Sequence, residues 1–570
     1  LLSPIIIIIY NAIFSLGSFQ NLYSTRYVIG STKIILLVSI FILIISVPLA
    51  WINTMTDYPG RKVIQILSIL PLGVPAYIAA YTYAELLEPG GYLASLLISF
   101  DGFSLRNSFF GSLILSFALF PYVYLLTRIA IINFSARYIE AAKTMGKNSY
   151  ECFFKICIPM ALPGIAAGLA LALMETLNDY GVADFFGLQT LTVGVFQYIS
   201  VINDIPSAYL LSMIILLLML VLYIFEIKMR GKKSFQNSTY EHIQWSRYQL
   251  GSIKTILVLS FVSIPIIFGY IIPLIFTLFL LAKNFNQIDL NNYYSSLYNS
   301  IVLGIFVGMG CIILSIFINY VSRFSKSNWL NFYKKIINMG YALPGVVIAL
   351  GVLVFINLFD LYSPILLSTS LFGLILALII RLISISNNSL QSGLDKIGKS
   401  IDDASRLIGR RPSTTYFRII IPQIKLSILA GFFLVLVDTI KELPITLLLR
   451  PFNFNTLATS LYEYSSNEMF ELGSLHALTI ILFLSAAIYI FDSFLEKKII
   501  LKEKEIALAT LENENKPDDI KEKIVLGKIN KFKQENSLLD QAFIKNPDQK
   551  IHEIISGNSI LEIMRRKVGE

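Results

Sequence analysis

"EAAKTMGKNSYECFFKICIP" occupies Glu140 to Pro159, and "DASRLIGRRPSTTYFRIIIP" occupies Asp403 to Pro422. Laid over each other without a gap, the two stretches align their leading acids and Ala141/Ala404, Gly146/Gly409, Phe154/Phe417, Lys155/Arg418, Ile156/Ile419 and Pro159/Pro422. The offset is 263 residues throughout. A polar, helix-favouring segment with a glycine inside and a proline at its end therefore occurs twice in a chain that is otherwise mostly apolar. One copy alone reads as an amphipathic surface loop; two copies with matched spacing read as a repeated working part.

The surroundings of both copies are apolar. The chain has 570 residues, 55% hydrophobic and 15% charged, with a mean hydropathy of +0.69. Soluble domains carry about 25% charged residues, so the balance points to a polytopic membrane protein. Apolar runs near 1–19, 34–52, 63–87, 109–132, 161–183 and 207–227 are followed by runs near 253–282, 299–321, 336–359, 364–385, 424–449 and 473–494. That makes six and six, each approaching the ~20 residues a helical span needs. The chain begins "LLSPIIIIIY" without Met, and this start reads as the remainder of a first span because no small-residue cleavage site follows.

Orientation follows from the basic loops. Arg61 and Lys62, then Arg128 to Lys155, then Lys228 to Lys233 fall on one side, with Arg323 to Lys335 and Lys396 to Arg418 in the second half. The alternate loops carry Glu85, Glu88, Asp101, Asp184, Asp204, Asp289, Asp360, Glu463, Glu468 and Glu471. Both termini and both copies of the segment are expected in the cytoplasm. The net charge of +9 is explained by these loops and implies no nucleic-acid partner. Six spans per copy give a parallel repeat, expected to pack about an axis along the membrane normal with a pathway between the halves.

Within each segment two short helices are expected. Gly146 and Gly409 supply the left-handed position that stops the first. Asn148 with Glu151 forms a capping-box pattern for the second, and Pro412 suits a first helical turn. The pattern EAA, three residues, Gly, nine residues, Ile, one residue, an aliphatic, Pro resembles the signature loop of binding-protein-dependent ABC importer permeases. The second copy departs from it with Asp403-Ala404-Ser405. "DYPGRK" at 57–62, "LPLGVPAYIAAYTYAELL" at 70–87, "ALALMETLNDYGVADFFG" at 170–187 and "VLVDTIKELPITLLLRPFNFNTLATSLYEY" at 435–464 look like the fused, two-domain iron(III) transport permeases.

The resemblance implies an all-α polytopic membrane protein with two tandem six-helix type I permease domains. They fall at 1–230, with a coupling loop about 135–160, and at 253–495, with a coupling loop about 398–423. A cytoplasmic linker occupies 231–252 and a charged extension 496–570. It further implies that Glu140, Ala141, Ala142, Gly146, Asp403, Ala404, Ser405 and Gly409 couple the spans to two cytoplasmic ATPase subunits. A substrate-binding protein would deliver cargo to the outer face of a bacterial inner membrane. Ferric iron is the favoured cargo; thiamine, putrescine and phosphonate permeases share much of the pattern. No Walker-type GxxxxGK[ST] loop and no catalytic triad spacing occurs, so the chain is not itself an enzyme, and ATP with Mg is expected to be used by the partner.

"METLNDYG" puts Glu175 and Asp179 four apart on one helical face, and "DTIKELP" puts Asp438 and Glu442 at the same 263-residue offset with Lys441 between them. Ionisable groups in spans are costly and face a bundle interior or a water-filled cavity. They either line a cation pathway between the halves or pair structurally, for instance Lys441 with a carboxylate across the interface. An ion-gradient-driven secondary transporter using these acids is the alternative of another class. Pro444 is expected to break its span just after Glu442. Tyr77, Tyr81, Tyr83, Tyr122 and Tyr124 read as interfacial aromatic belts, and His476 as a hydrogen-bonded interfacial residue. Cys152, Cys157 and Cys311 form no CxxC pair and no Cys/His cluster, so no metal site is expected. From about Glu496 the composition turns to Lys, Glu, Asp and Asn, and alternating charges suggest a solvated helical appendage.

Overall fold

The computed structural model describes most of residues 3–490, together with 542–543 and 546–550. Outside the described residues lie 16–22, 94–103, 135–137, 139–140, 143, 232–246, 326–328, 330–333, 335–336, 339, 363–365, 399, 491–541 and both extreme ends. Glu140, most of the 231–252 linker and nearly all of the 496–570 extension are among these. Leu1–Ser485 forms one compact unit and Ala486–Glu570 a second.

In the first half of the larger unit, α1 (Ser3–Phe14), α2 (Tyr23–Met55), α3 (Arg61–Leu67), α4 (Ala76–Leu87), α5 (Ser108–Phe134), α6 (Ile158–Asn178), α7 (Gly181–Phe185), α8 (Leu191–Ser200) and α9 (Ile205–Gly231) follow one another. The second half repeats the order with α10 (Ser252–Ile266), α11 (Ile272–Asn284), α12 (Leu290–Phe324), α13 (Gly345–Asp360), α14 (Leu371–Leu394), α15 (Ser400–Leu407), α16 (Lys425–Lys441), α17 (Pro444–Leu449), α18 (Leu457–Ser466) and α19 (Ser474–Ile490). The 263-residue offset carries the start of α5 onto the start of α14, the end of α6 onto the end of α16, and the start of α7 onto the start of α17. A two-residue parallel pairing of β1 (Thr56–Asp57) with β2 (Tyr248–Gln249) fastens the end of α2 beside the start of the second half. In the smaller unit β3 (Ala542–Phe543) and β4 (Asn546–Lys550) pair antiparallel.

Among the described residues seven helices are long and apolar enough to cross a membrane, and nine if each sharply bent pair counts as one span. The first bent pair is Arg61–Gly73 with Ala76–Leu87, meeting at 90° where a 3₁₀ turn at Leu70–Gly73 ends at Pro75. The second is Pro412–Gln423 with Lys425–Lys441, meeting at 73° at Ile424. Together with the shorter apolar helices α1, α13 and α19, the nine account for all twelve apolar runs of the sequence. The runs at 161–183 and 424–449 are not continuous helices: each stops at an acid, Asp179 and Glu442, before a short helix resumes. Pro444 accounts for the second stop, since its missing N–H and ring exclude an uninterrupted helix.

The first helix of each half packs on the opposite half. Pro4, Ile8 and Ala12, one face of α1 at a spacing of four, meet α13, where Gly351 lies so close to the Pro4 carbonyl that a Cβ there would come within 2.7 Å of it. Reciprocally, α11 packs on α4, and Tyr83 of α4 donates a 2.5 Å hydrogen bond to the Phe268 carbonyl just before α11. Small residues at such crossings allow the close approach that drives helix association in lipid. One apolar core joins α1, α6, α8, α9 and α13 through Ile8, Met174, Leu191, Ile215 and Val347; another joins α12, α13 and α14 through Val307, Val352 and Leu378.

The tyrosines are not a belt. Tyr77, Tyr81, Tyr83 and Tyr124 are all under a tenth exposed within the protein; Tyr124 accepts a hydrogen bond from Asn53 at 2.9 Å, and Tyr81 packs against the rings of Phe185 and Phe470. Hydropathy alone does not distinguish a ring facing headgroups from one facing another helix. His476 also departs from expectation. It is fully buried, with neither ring nitrogen hydrogen-bonded among the described residues, and is held by the rings of Tyr293 and Tyr464.

Candidate functional site

A cavity of about 130 Å³ lies where the broken helices of the two halves meet. Glu175, Asp179, Asp438, Lys441 and Glu442 all line it, so the charged residues singled out by their spacing converge on one space. α6 and α16 bring their C-terminal ends to the cavity wall, and the next short helices, α7 and α17, start there. Each halting acid also stabilises that restart. Asp179 Oδ1 accepts from the N–H groups of Val182 and Ala183 at 3.0 and 3.3 Å, and the Glu442 carboxylate accepts from Ile445 and Thr446 at 3.2 Å each. A carboxylate is favoured at such a helix start because the unsatisfied N–H groups concentrate positive charge there.

Lys441 does not pair with a carboxylate across the interface, the example offered for the structural alternative. Its ammonium lies 2.6 Å from Asp438 on the same helix face, three residues away. Contact between the halves is made instead by neighbours. Asn178 Oδ1 accepts from the Gly345 N–H at 2.7 Å, and Tyr77 OH donates to the Lys441 carbonyl at 3.5 Å. Glu442 is paired with Arg381 of α14 at 2.8 Å, with both side chains under a tenth exposed. Arg381 was not among the residues that the repeat highlighted, because its counterpart at the 263-residue offset is Ala118. A charged residue inside the apolar run "LALIIRLISI" was the signal available.

Following α6 past the cavity, a second set of polar groups joins the halves. Tyr462 of α18 donates to Asp184 of α7 at 2.6 Å, and the hydroxyls of Tyr180 and Tyr462 lie 3.3 Å apart. The ring of Phe196 packs on Tyr180 at 4.5 Å. Among the described residues no group of three or more His, Cys, Asp or Glu side chains is arranged to hold a metal ion.

At the opposite ends of α6 and α16 lie the two matched segments. Gly146 has φ +79° and Gly409 φ +76°, with nothing within 4 Å of a Cβ built on either. In the first, Lys147 N donates to the Ala142 carbonyl at 3.0 Å; in the second, Arg410 N donates to the Ser405 carbonyl at 3.1 Å, again five residues back. These bonds close the same left-handed helix stop in both copies. Ala142 and Ser405 are buried, whereas Ala141, Asp403 and Ala404 are exposed. Ser405 shares a 2.6 Å hydrogen bond with Thr415.

Asn148 caps the next turn by accepting from Glu151 N at 2.8 Å, but the Glu151 carboxylate turns to Lys147 and Lys155, at 3.3 and 2.9 Å, instead of completing the capping box. A widened π turn follows in each copy, at Cys152–Cys157 and Tyr416–Ile420, before the span begins. The second segment has an additional tie. Asp402 of α15 pairs with Arg323 of α12 at 2.9 Å, and the same guanidinium reaches the Leu394 and Ile397 carbonyls.

Comparison with known proteins matches this architecture. The family described as binding-protein-dependent transport system inner membrane component matches residues 35–226 and 301–501, one match per half. The Fe(3+)-transport system permease protein FbpB 2 of Haemophilus influenzae is 22% identical over 452 residues, covering 76% of this chain and 83% of that one. The sulfate transport system permease protein CysT of Escherichia coli K12 is 27% identical over 176 residues, covering 30% and 63%. Molybdenum and spermidine/putrescine transport permeases also match.

The extension is similar to something else. The Elongation factor TS family matches residues 477–570, and elongation factor Ts of Leuconostoc mesenteroides is 43% identical over 84 residues, 14% of this chain and 29% of that protein. The permease match overlaps it as far as residue 501. Because two copies of one permease family model cover most of the chain and coincide with its internal repeat, the chain belongs to the binding-protein-dependent transport system inner membrane components, the multi-pass permease subunits of ABC importers.

Proposed function

We propose that this chain is the two-domain membrane subunit of an ATP-driven ferric iron importer. Cargo arrives from a substrate-binding protein on the outer face and crosses through the cavity between the halves. Two ATPase subunits, which use ATP and Mg, seat on the segments around Glu140, Ala141, Ala142 and Gly146 and around Asp403, Ala404, Ser405 and Gly409, with both termini in the cytoplasm. The observation that carries the cargo is the charge of the cavity wall. Four carboxylates, Glu175, Asp179, Asp438 and Glu442, stand against two bases, Arg381 and Lys441. The surplus is two negative charges, which favours a cation over sulfate or molybdate. The long match to an iron(III) permease, spanning both halves, points the same way.

The coupling assignment rests on geometry repeated at both places: a glycine-stopped helix, an exposed leading face and a π turn joined rigidly to a span. Radiolabelled uptake in proteoliposomes with the purified ATPase tests the whole. ATP-dependent accumulation of ferric iron, lost in Gly146→Pro without loss of membrane insertion, is the expected result. Accumulation of putrescine, thiamine, phosphonate or sulfate instead overturns the cargo, and uptake indifferent to ATP and to Gly146→Pro overturns the coupling.

A further inference from the structure

The cavity wall has an internal symmetry that its charges break. The 263-residue offset carries Glu175 onto Asp438, Asp179 onto Glu442, Asn178 onto Lys441 and Ala118 onto Arg381, and all eight residues line the cavity. The acids are kept in both halves; the bases occur only in the second. Asp438 is paired with Lys441 at 2.6 Å and Glu442 with Arg381 at 2.8 Å, so the second-half wall sums to zero. In the first half the corresponding positions are an amide and a methyl group. Among the described residues Asp179 has only backbone N–H partners and no ion pair at contact distance reaches Glu175 or Asp179, although Lys441 lies within longer electrostatic reach of Glu175.

Building on the importer reading, we propose that the transport cavity is electrically one-sided: Arg381 and Lys441 neutralise the second-half acids, and Glu175 with Asp179 on the first-half wall meet the cation. Arg381 is then a positioning residue that acts mainly through Glu442, which it keeps neutralised, and does not itself coordinate the cation. Paired charges at contact distance in a low-dielectric wall present little net field to a third ion, whereas an uncompensated carboxylate presents all of its own. Arg381 adds one more element. Its side chain is 9% exposed and among the described residues its Nε has no hydrogen-bond partner, leaving a donor for the oxygen ligands that a hard cation carries with it.

Terbium(III), a trivalent hard cation whose emission is sensitised by nearby tyrosine, is the probe, since Tyr77 and Tyr122 line the same cavity. The full chain in nanodiscs is titrated with terbium alone, as the natural protein, as Glu175→Gln and as the double variant Asp438→Asn/Lys441→Gln. The double variant removes one carboxylate and one ammonium together. The expected result is a rise of at least tenfold in half-saturating terbium for Glu175→Gln and of less than threefold for the double variant. Equal shifts in the two, a larger shift in the double variant, or no saturable emission that depends on Glu175 would overturn the proposal. Ferric uptake with the ATPase in the same preparation separates the two ideas. Absence of ATP-driven uptake by the natural chain defeats the importer reading, while intact uptake with matching terbium shifts defeats the one-sided cavity alone.

Discussion

Arg381 and Glu442 show how much a single buried pair constrains. Removing one partner of a buried ion pair strands the other charge and costs about 3–5 kcal/mol, while replacing both is often close to neutral. Arg381→Met alone is therefore expected to lower the unfolding temperature of the detergent-solubilised protein markedly, and Arg381→Met with Glu442→Gln to restore most of it. Equal destabilisation by the single and double changes would contradict the pairing. Gly345 guards the same contact. A Cβ there would meet Arg381 Nη1 at 2.8 Å and Glu442 Oε1 at 3.0 Å, so Gly345→Ala forces the pair to move.

The acids of this site were legible because a spacing of four puts them on one face and a constant offset doubles them. Arg381 was not, since a search for what two halves share passes over what only one possesses. The tyrosines and His476 were misread for another reason: an apolar run with aromatic rings looks the same whether lipid or protein covers it.

At the scale of single elements, the matched segments were the most legible part, because a glycine stop and an asparagine cap are decided within six residues of chain. Their left-handed glycines also make the cleanest test. A side chain in that conformation costs about 1–2 kcal/mol, and with nothing near either position the cost is purely backbone strain. Gly146→Ala and Gly409→Ala are expected to insert normally yet reduce stimulation of the partner ATPase by transport cargo, measured as phosphate release in proteoliposomes. The two copies are not mechanically equal. Among the described residues the second has the additional Arg323–Asp402 tie, and the chain bends by 73° beyond it. Asp402→Asn is expected to lower ATP-coupled uptake without changing the amount of protein inserted. The kink between Gly73 and Ala76 was less legible, since it lies inside a run whose composition reads as unbroken span, whereas the one at Ile424 falls at the start of its run.

For the whole molecule, the contact between Asp184 and Tyr462 beyond the cavity holds the halves together where cargo is proposed to enter. A hydrogen bond to a charged group contributes about 1.5–3 kcal/mol, enough to shift a two-state equilibrium by tenfold or more. Tyr462→Phe is expected to favour separation there, seen as a longer distance population between spin labels at Val201 and Asn467; an unchanged distribution would argue against a latch. The elongation factor Ts-like match overlaps the permease only over 477–501 and continues beyond the repeat, and a chain ending after Leu495 is expected to import cargo within about twofold of the full chain in the same proteoliposomes.

The exchange of first helices sets the order in which this protein can be finished during synthesis. The face of α1 formed by Pro4, Ile8 and Ala12 leaves the ribosome early, yet α13, which covers it, begins only at Gly345. At about 5–20 residues per second the wait is roughly 17–70 seconds. Throughout that interval the nascent helix must be sheltered by lipid or by an insertion factor. A chain that stops short of α13 keeps the Pro4–Ala12 face without its Gly351 partner.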